Sequence, residues 1–187
     1  MTNSLVRQLT PAAAQGLGAR VGMVLAGTVL LAMSAKVQVP FWPVPMTLQT
    51  LVVLLIGAGF GARMAGATLL AYLAQGAVGL PVFATGAGLA YMAGPTGGYL
   101  AGFLLGAVFV GWAAGRGLTR GLLSAVAVFL IADVLIFVPG VLWLAGYAGA
   151  DAALALGLVP FLPGEVLKIV IAAGITHAAW RRVPGPA

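Results

Sequence analysis

Two opposite charges, Glu165 and Lys168, stand three residues apart at the head of an apolar run, in the stretch Phe161-Leu-Pro-Gly-Glu-Val-Leu-Lys168. Spacing i,i+3 puts both side chains on one helix face. The run continues from Ile169 to Trp180 and closes on Arg181-Arg182, which predicts a helix with Pro163 in its first turn and basic residues at its end. A charge inside a membrane span costs at least about 2.5–3.5 kcal/mol, so it faces the bundle interior or a wet cavity. Lys168 is therefore the leading candidate for meeting an anionic ligand. A plain intrahelical pair with Glu165, or snorkelling of the ammonium to the interface, is the structural alternative. Asp133, six residues before Pro139, falls at a depth similar to Lys168, either facing the same cavity or pairing with Lys168 to join two helices.

Glu165 and Lys168 are conspicuous because charge is so scarce. The 187 residues are 62% hydrophobic and 6% charged, whereas about a quarter of the residues in a soluble domain are charged. The composition predicts an all-α integral membrane protein. Apolar runs predict six transmembrane helices at about 17–35, 46–60, 64–78, 98–114, 122–138 and 163–180, after a short polar segment 1–15, all within a single membrane domain 1–187. Pro-rich Val39–Pro45 separates the first two runs, Gly61-Ala-Arg63 makes a tight turn, and the Gly/Pro/Thr-rich stretch 79–97 reads as a long ordered loop. Pro139 is expected to end the fifth span, leaving Pro139–Leu162 as a loose connection.

The arginines provide a separate check on this count. Arg7, Arg20, Arg63, Arg116, Arg120, Arg181 and Arg182 all fall on one side of a six-span chain, which places both termini in the cytoplasm. Basic residues scattered in ones and twos argue against a nucleic-acid surface. With no cysteine, one histidine and three acidic residues, neither a protein-built metal site nor a cofactor is expected, and no nucleophile, base and orienting group can be assembled into an enzyme. His177, beside Trp180, reads as an interfacial residue.

Most polar groups fall in the outer half. Thr47, Gln49 and Thr50 open the second span, Tyr72 and Gln75 lie near the end of the third, and Thr96 and Tyr99 open the fourth. Two outer segments, Phe41-Trp42 and Phe83–Tyr91, have the aromatic and proline content of stiff lids, although each aromatic also fits an interfacial belt. An ammonium for a carboxylate, Gln49, Gln75 and Tyr99 for a polar ring, and Trp42 and Phe83 for an apolar body would suit a small amphiphile. Small residues at Gly18, Gly22 and Ala26, and at Gly98, Gly102 and Gly106, allow close helix approach, either within this chain or, for the first span, against a partner subunit.

Four segments carry a family resemblance: Val44-Pro-Met-Thr-Leu-Gln-Thr50, Gly79-Leu-Pro-Val-Phe-Ala84, Pro95-Thr-Gly-Gly-Tyr-Leu-Ala-Gly-Phe103 and Phe161–Lys168. In order and spacing they resemble the BioY family, the biotin-specific substrate-binding (S) components of energy-coupling factor (ECF) transporters. The resemblance implies an S-component-like bundle in the cell membrane that captures biotin from outside beneath its first and third connecting loops. It makes Lys168 the partner of the biotin carboxylate or another anionic edge and Glu165 the acidic position, where the family favours Asp. It also implies a transmembrane coupling subunit and ABC-type ATPase subunits, because no G-x-x-x-x-G-K-[ST] loop occurs in this chain. An S component for another water-soluble vitamin and a proton-coupled secondary transporter relaying through Asp133, Glu165 and Lys168 are the alternatives. All three of those residues lie in the outer half, which weighs against a relay.

Overall fold

The computed structural model describes residue 5, residues 16–40 and residues 42–183; the rest of segment 1–15, with Arg7, and Phe41 of the first lid lie outside the described residues. The described chain is all-helical apart from one minimal hairpin. In order it forms α1 (Leu17–Lys36), β1 (Gln38–Val39), β2 (Met46–Thr47), α2 (Gln49–Phe60), α3 (Ala62–Ala77), the short α4 (Gly88–Met92), α5 (Gly97–Gly115), α6 (Leu122–Ala148), α7 (Ala150–Gly157), a 3-10 turn (Val159–Phe161) and α8 (Leu162–Trp180). Four helical stretches, Leu17–Lys36, Gly97–Gly115, Leu122–Ala148 and Ala150–Trp180, are long and apolar enough to cross a membrane.

Close backbone approach holds these helices together, since lipid supplies little hydrophobic drive for helix association. Helix α5 is central, packing on α2, α3 and most extensively on α6. A Cβ at Gly102 would lie 2.5 Å from the Ile136 carbonyl oxygen, and one at Gly98 would lie 2.3 Å from that of Pro139. The α5 glycine row therefore serves packing inside the chain. Gly18 and Gly22 on α1 have nothing within 4 Å of a built Cβ among the described residues, so no described residue covers the corresponding row on α1.

The two ends of the bundle differ in charge. Gly61, at φ 77, closes α2 and opens α3 in one step, a left-handed conformation that glycine adopts without steric cost. That turn sits against the C-terminal end of α5, where a Cβ at Gly111 would meet the Ala62 nitrogen at 2.3 Å. The α8 end joins the same region, because the Trp180 indole donates to Thr119 Oγ1 at 3.1 Å. Arg63, Arg116, Arg120, Arg181 and Arg182 consequently gather at one end, with Arg20 at the near end of α1. Lys36, Glu165 and Lys168 lie toward the other.

Three local expectations are corrected. Pro139 does not end its helix: α6 runs through it to Ala148, as membrane helices can when neighbouring helices and side chains re-satisfy the freed backbone groups. Most of the supposed loose connection is helix α6 and then α7. The 79–97 loop contains the short helix α4, and the segment from 38 to 47 pairs as an antiparallel ladder with Gln38 opposite Thr47 and Val39 opposite Met46. Two-residue strands leave no hydropathy period to detect.

Candidate ligand site

Helix α2 spans 12 residues, about 18 Å at the α-helical rise, well short of a hydrocarbon core of about 30 Å. Its late start leaves room above Gln49, and the hairpin bends over that room. Three elements are tied together there by Lys168. Its ammonium donates to the Thr47 carbonyl at 2.7 Å, to Thr50 Oγ1 at 3.0 Å and to Glu165 Oε1 at 2.6 Å, connecting β2, α2 and α8. Lys168 and Glu165 are both buried, and their ion pair is the single salt bridge recorded among the described residues. Glu165 Oε2 and Asp133 Oδ1 are buried and accept no hydrogen bond among the described residues. Asp133 forms no ion pair with Lys168 among the described residues.

On one side of this cluster lies a narrow cavity of about 30 Å³, lined by Val44, Pro45, Thr47, Gln49, Thr50, Ala84, Tyr91, Thr96, Tyr99, Leu100, Phe103, Ile136, Phe137, Phe161 and Glu165. Aromatic and aliphatic walls with a few convergent polar groups are the usual make-up of a small-molecule site. On the other side is a crevice of about 240 Å³ between the hairpin and the start of α8, lined by residues including Gln38, Met46, Thr47, Gly164, Glu165 and Lys168. Thr47, Phe161 and Glu165 form the partition between the two.

The polar residues singled out from sequence fall into distinct settings. Thr47, Gln49, Thr96, Tyr99 and Glu165 line the inner cavity, and Lys168 lines the crevice behind it. Gln49 donates to the Tyr72 hydroxyl at 2.8 Å, and Tyr72 donates to the Val82 carbonyl at 3.0 Å, carrying the contact from the cavity wall to the third loop. The Tyr99 ring lies against Gly140, and its hydroxyl donates to the Gly157 carbonyl at 2.7 Å. Asp133 lines neither space. Phe83 is fully buried, stacked on Tyr91 at 5.1 Å and edge-on to Tyr72 at 5.5 Å, so it supports the wall that Tyr91 presents. Gln75 donates to Thr28 Oγ1 at 3.2 Å, joining α3 to α1 away from the cavity. Trp42 is 81% exposed and lines neither space.

Sequence reasoning placed Tyr91 only within the Phe83–Tyr91 lid, passed over Phe137 and Phe161 as wall residues and gave Thr50 no site role. A hydroxyl one residue after Gln49 at the head of a short span was the available signal for Thr50. The aromatics carried none beyond their hydropathy. Lys36 was also missed: its ammonium donates to the Phe83 carbonyl at 2.6 Å, tying the end of α1 to the third loop. The extension of α6 grips the same loop farther along, with the Trp143 indole donating to the Gly94 carbonyl at 2.9 Å and the Tyr147 hydroxyl to that of Ala93.

Bundle and cavity together define a multi-pass membrane protein with a small-molecule site at one end. The chain belongs to the BioY family, whose pattern matches residues 7–185. Among its relatives, the probable biotin transporter BioY of Pyrococcus horikoshii is 35% identical over 153 residues, covering 81% of this chain and 90% of that one. The biotin transporter BioY of Rhizobium etli is 37% identical over 159 residues, covering 80% and 85%. The solved S-component for biotin from an ECF-type ABC transporter shares the fold with a TM-score of 0.75 at 22% identity, covering 90% of this chain and 96% of that one.

Proposed function

We propose that this protein is the substrate-binding subunit of a biotin uptake system, taking biotin into the cavity beneath the hairpin and the third loop. The observation that carries the reading is the buried Lys168–Glu165–Thr50 cluster, with its bond to the Thr47 carbonyl, set beside an aromatic cavity. Family membership and relatives named as biotin transporters support biotin as the ligand. The fused rings of biotin suit the walls formed by Tyr91, Tyr99, Phe137 and Phe161, and its ureido edge suits Thr47, Gln49 and Glu165. Lys168 meets the anionic edge across the Thr47–Glu165 partition.

Six crossings, by α1, α2 continued by strand β2, α3, α5, α6 and α8, with the arginine end and both termini in the cytoplasm, accord with the positive-inside rule. The membrane is then the cell membrane, and the cavity opens outward. Energy comes from an ECF coupling subunit with ABC-type ATPases, and the bare α1 row of Gly18, Gly22 and Ala26 suits the contact with the coupling subunit. Equilibrium binding of labelled biotin to the purified full chain tests the assignment. Wild type is expected to bind tightly, and Lys168→Ala to bind at least about tenfold more weakly, as loss of a charge-assisted hydrogen bond entails. Absence of binding by wild type removes biotin as the ligand, and unaltered affinity in the variant removes Lys168 from the site.

A further inference from the structure

We propose that the arginine end of the bundle carries a seat for the headgroup of an anionic phospholipid, centred on Arg120 and completed by Arg116 and Arg181. Positive charge alone is explained by topology, but the posture of the Arg120 and Arg116 side chains is not. The Arg120 guanidinium sits 4.9 Å from the centroid of the Trp180 ring. It also folds back over the α5–α6 turn, so that a Cβ at Gly117, where φ is 78, would lie 3.5 Å from Arg120 Nε. The turn itself is pinned to α8 on both sides of that side chain. Trp180 donates to fully buried Thr119, and His177 Nδ1 donates to the Arg120 carbonyl at 2.8 Å. Four residues before Arg120, at the end of α5, Arg116 lies 3.9 Å over Trp112.

Among the described residues these held guanidinium groups have no protein anion to meet. The three acidic residues of the sequence are Asp133, Asp151 and Glu165, and none stands at this end. The described arginines are all here, whereas both lysines, Lys36 and Lys168, lie toward the other end. Topology would be served equally by lysine, but a planar fork that grips phosphate oxygens in pairs is particular to arginine. The surroundings argue for a lipid rather than a soluble phosphate. Trp112 is 45% exposed, Leu118 44%, Leu122 46% and Leu123 84%, so apolar surface for acyl chains flanks the cationic turn. Basic clusters beside cytoplasmic helix ends recruit anionic headgroups by this combination of charge and adjoining apolar surface.

The test is lipid retention by the delipidated full chain, titrated with phosphatidylglycerol or phosphatidylcholine and read by native mass spectrometry and thermal unfolding. Phosphatidylglycerol is expected to bind about tenfold more tightly than phosphatidylcholine. Arg120→Gln and Arg120→Lys are expected to erase most of that preference, whereas Arg63→Gln, the same charge change at the α2–α3 turn, should leave it. Should Arg120→Gln fail to fold, exposed Arg181→Gln carries the same expectation. Equal retention of the two lipids overturns the proposal. So does an equal effect of Arg63→Gln, which would mean a diffuse field, or displacement of the lipid by millimolar inorganic phosphate, which would mean a soluble-anion site.

Discussion

An ammonium has three hydrogens, and in this structure Lys168 gives all of them to protein acceptors, Thr47, Thr50 and Glu165. Meeting a ligand carboxylate therefore requires exchanging one of these partners, and exchanging the neutral Thr50 hydroxyl leaves both the hairpin contact and the buried ion pair in place. Removing one member of a buried ion pair leaves the other uncompensated, at a cost of about 3–5 kcal/mol. Lys168→Met should accordingly lower the unfolding temperature, and Lys168→Met with Glu165→Gln should recover part of the loss. A double-mutant cycle on thermal stability, with coupling of about 1–3 kcal/mol, checks this. Tyr99→Phe separates the two duties of that residue. It keeps the ring on the cavity wall and deletes the bond to Gly157, so stability should fall by about 0.5–1.5 kcal/mol with biotin affinity within about twofold. The sequence disclosed the chemical partners but not their arrangement: i,i+3 spacing predicts that Glu165 and Lys168 can touch, while the Thr47 carbonyl is an acceptor that no side-chain pattern reveals.

The cavity depends on elements that come close to not forming. Two two-residue strands and the five-residue α4 have almost no intrinsic stability. Side chains from longer helices hold them: Lys168 the hairpin, Lys36 and Tyr72 the start of the third loop, and Trp143 and Tyr147 its end. The last two exist because α6 continues past Pro139. Hydropathy and proline together imply a stop there, and only the neighbouring packing, with α5 glycines against Ile136 and Pro139, explains why the helix persists. Trp143→Phe with Tyr147→Phe should loosen the third loop without touching the cavity wall. Biotin dissociation is expected to speed up by about tenfold, because interface changes act mainly on the off-rate, as read in a chase with unlabelled biotin.

Across the whole molecule the two small-residue rows part company. The row on α5 is filled by α6 and by the α2–α3 turn, whereas no described residue covers the row on α1. Gly102→Leu should prevent folding and abolish detergent-stable protein. Gly22→Leu should leave biotin binding within about twofold while ATP-driven uptake in the reconstituted complex falls by more than about tenfold, since a bulky side chain there denies close helix approach. Sequence spacing alone shows both rows and cannot rank them, because burial depends on which helices lie side by side.

The Lys36 contact gives the bare helix a mechanical meaning. Lys36 is the last residue of α1, and its 2.6 Å bond to the Phe83 carbonyl joins it to the strand of loop that also carries Ala84 and, through the stacked Phe83 ring, Tyr91. A helix gripped along its outer face by a partner and pulled along its axis must either stretch that bond or drag the Phe83 carbonyl with it. Traction on α1 would thus reach the roof of the cavity through the Lys36 ammonium as well as through the chain that runs on into the hairpin, coupling the exposed face to the enclosed space as two ends of one lever.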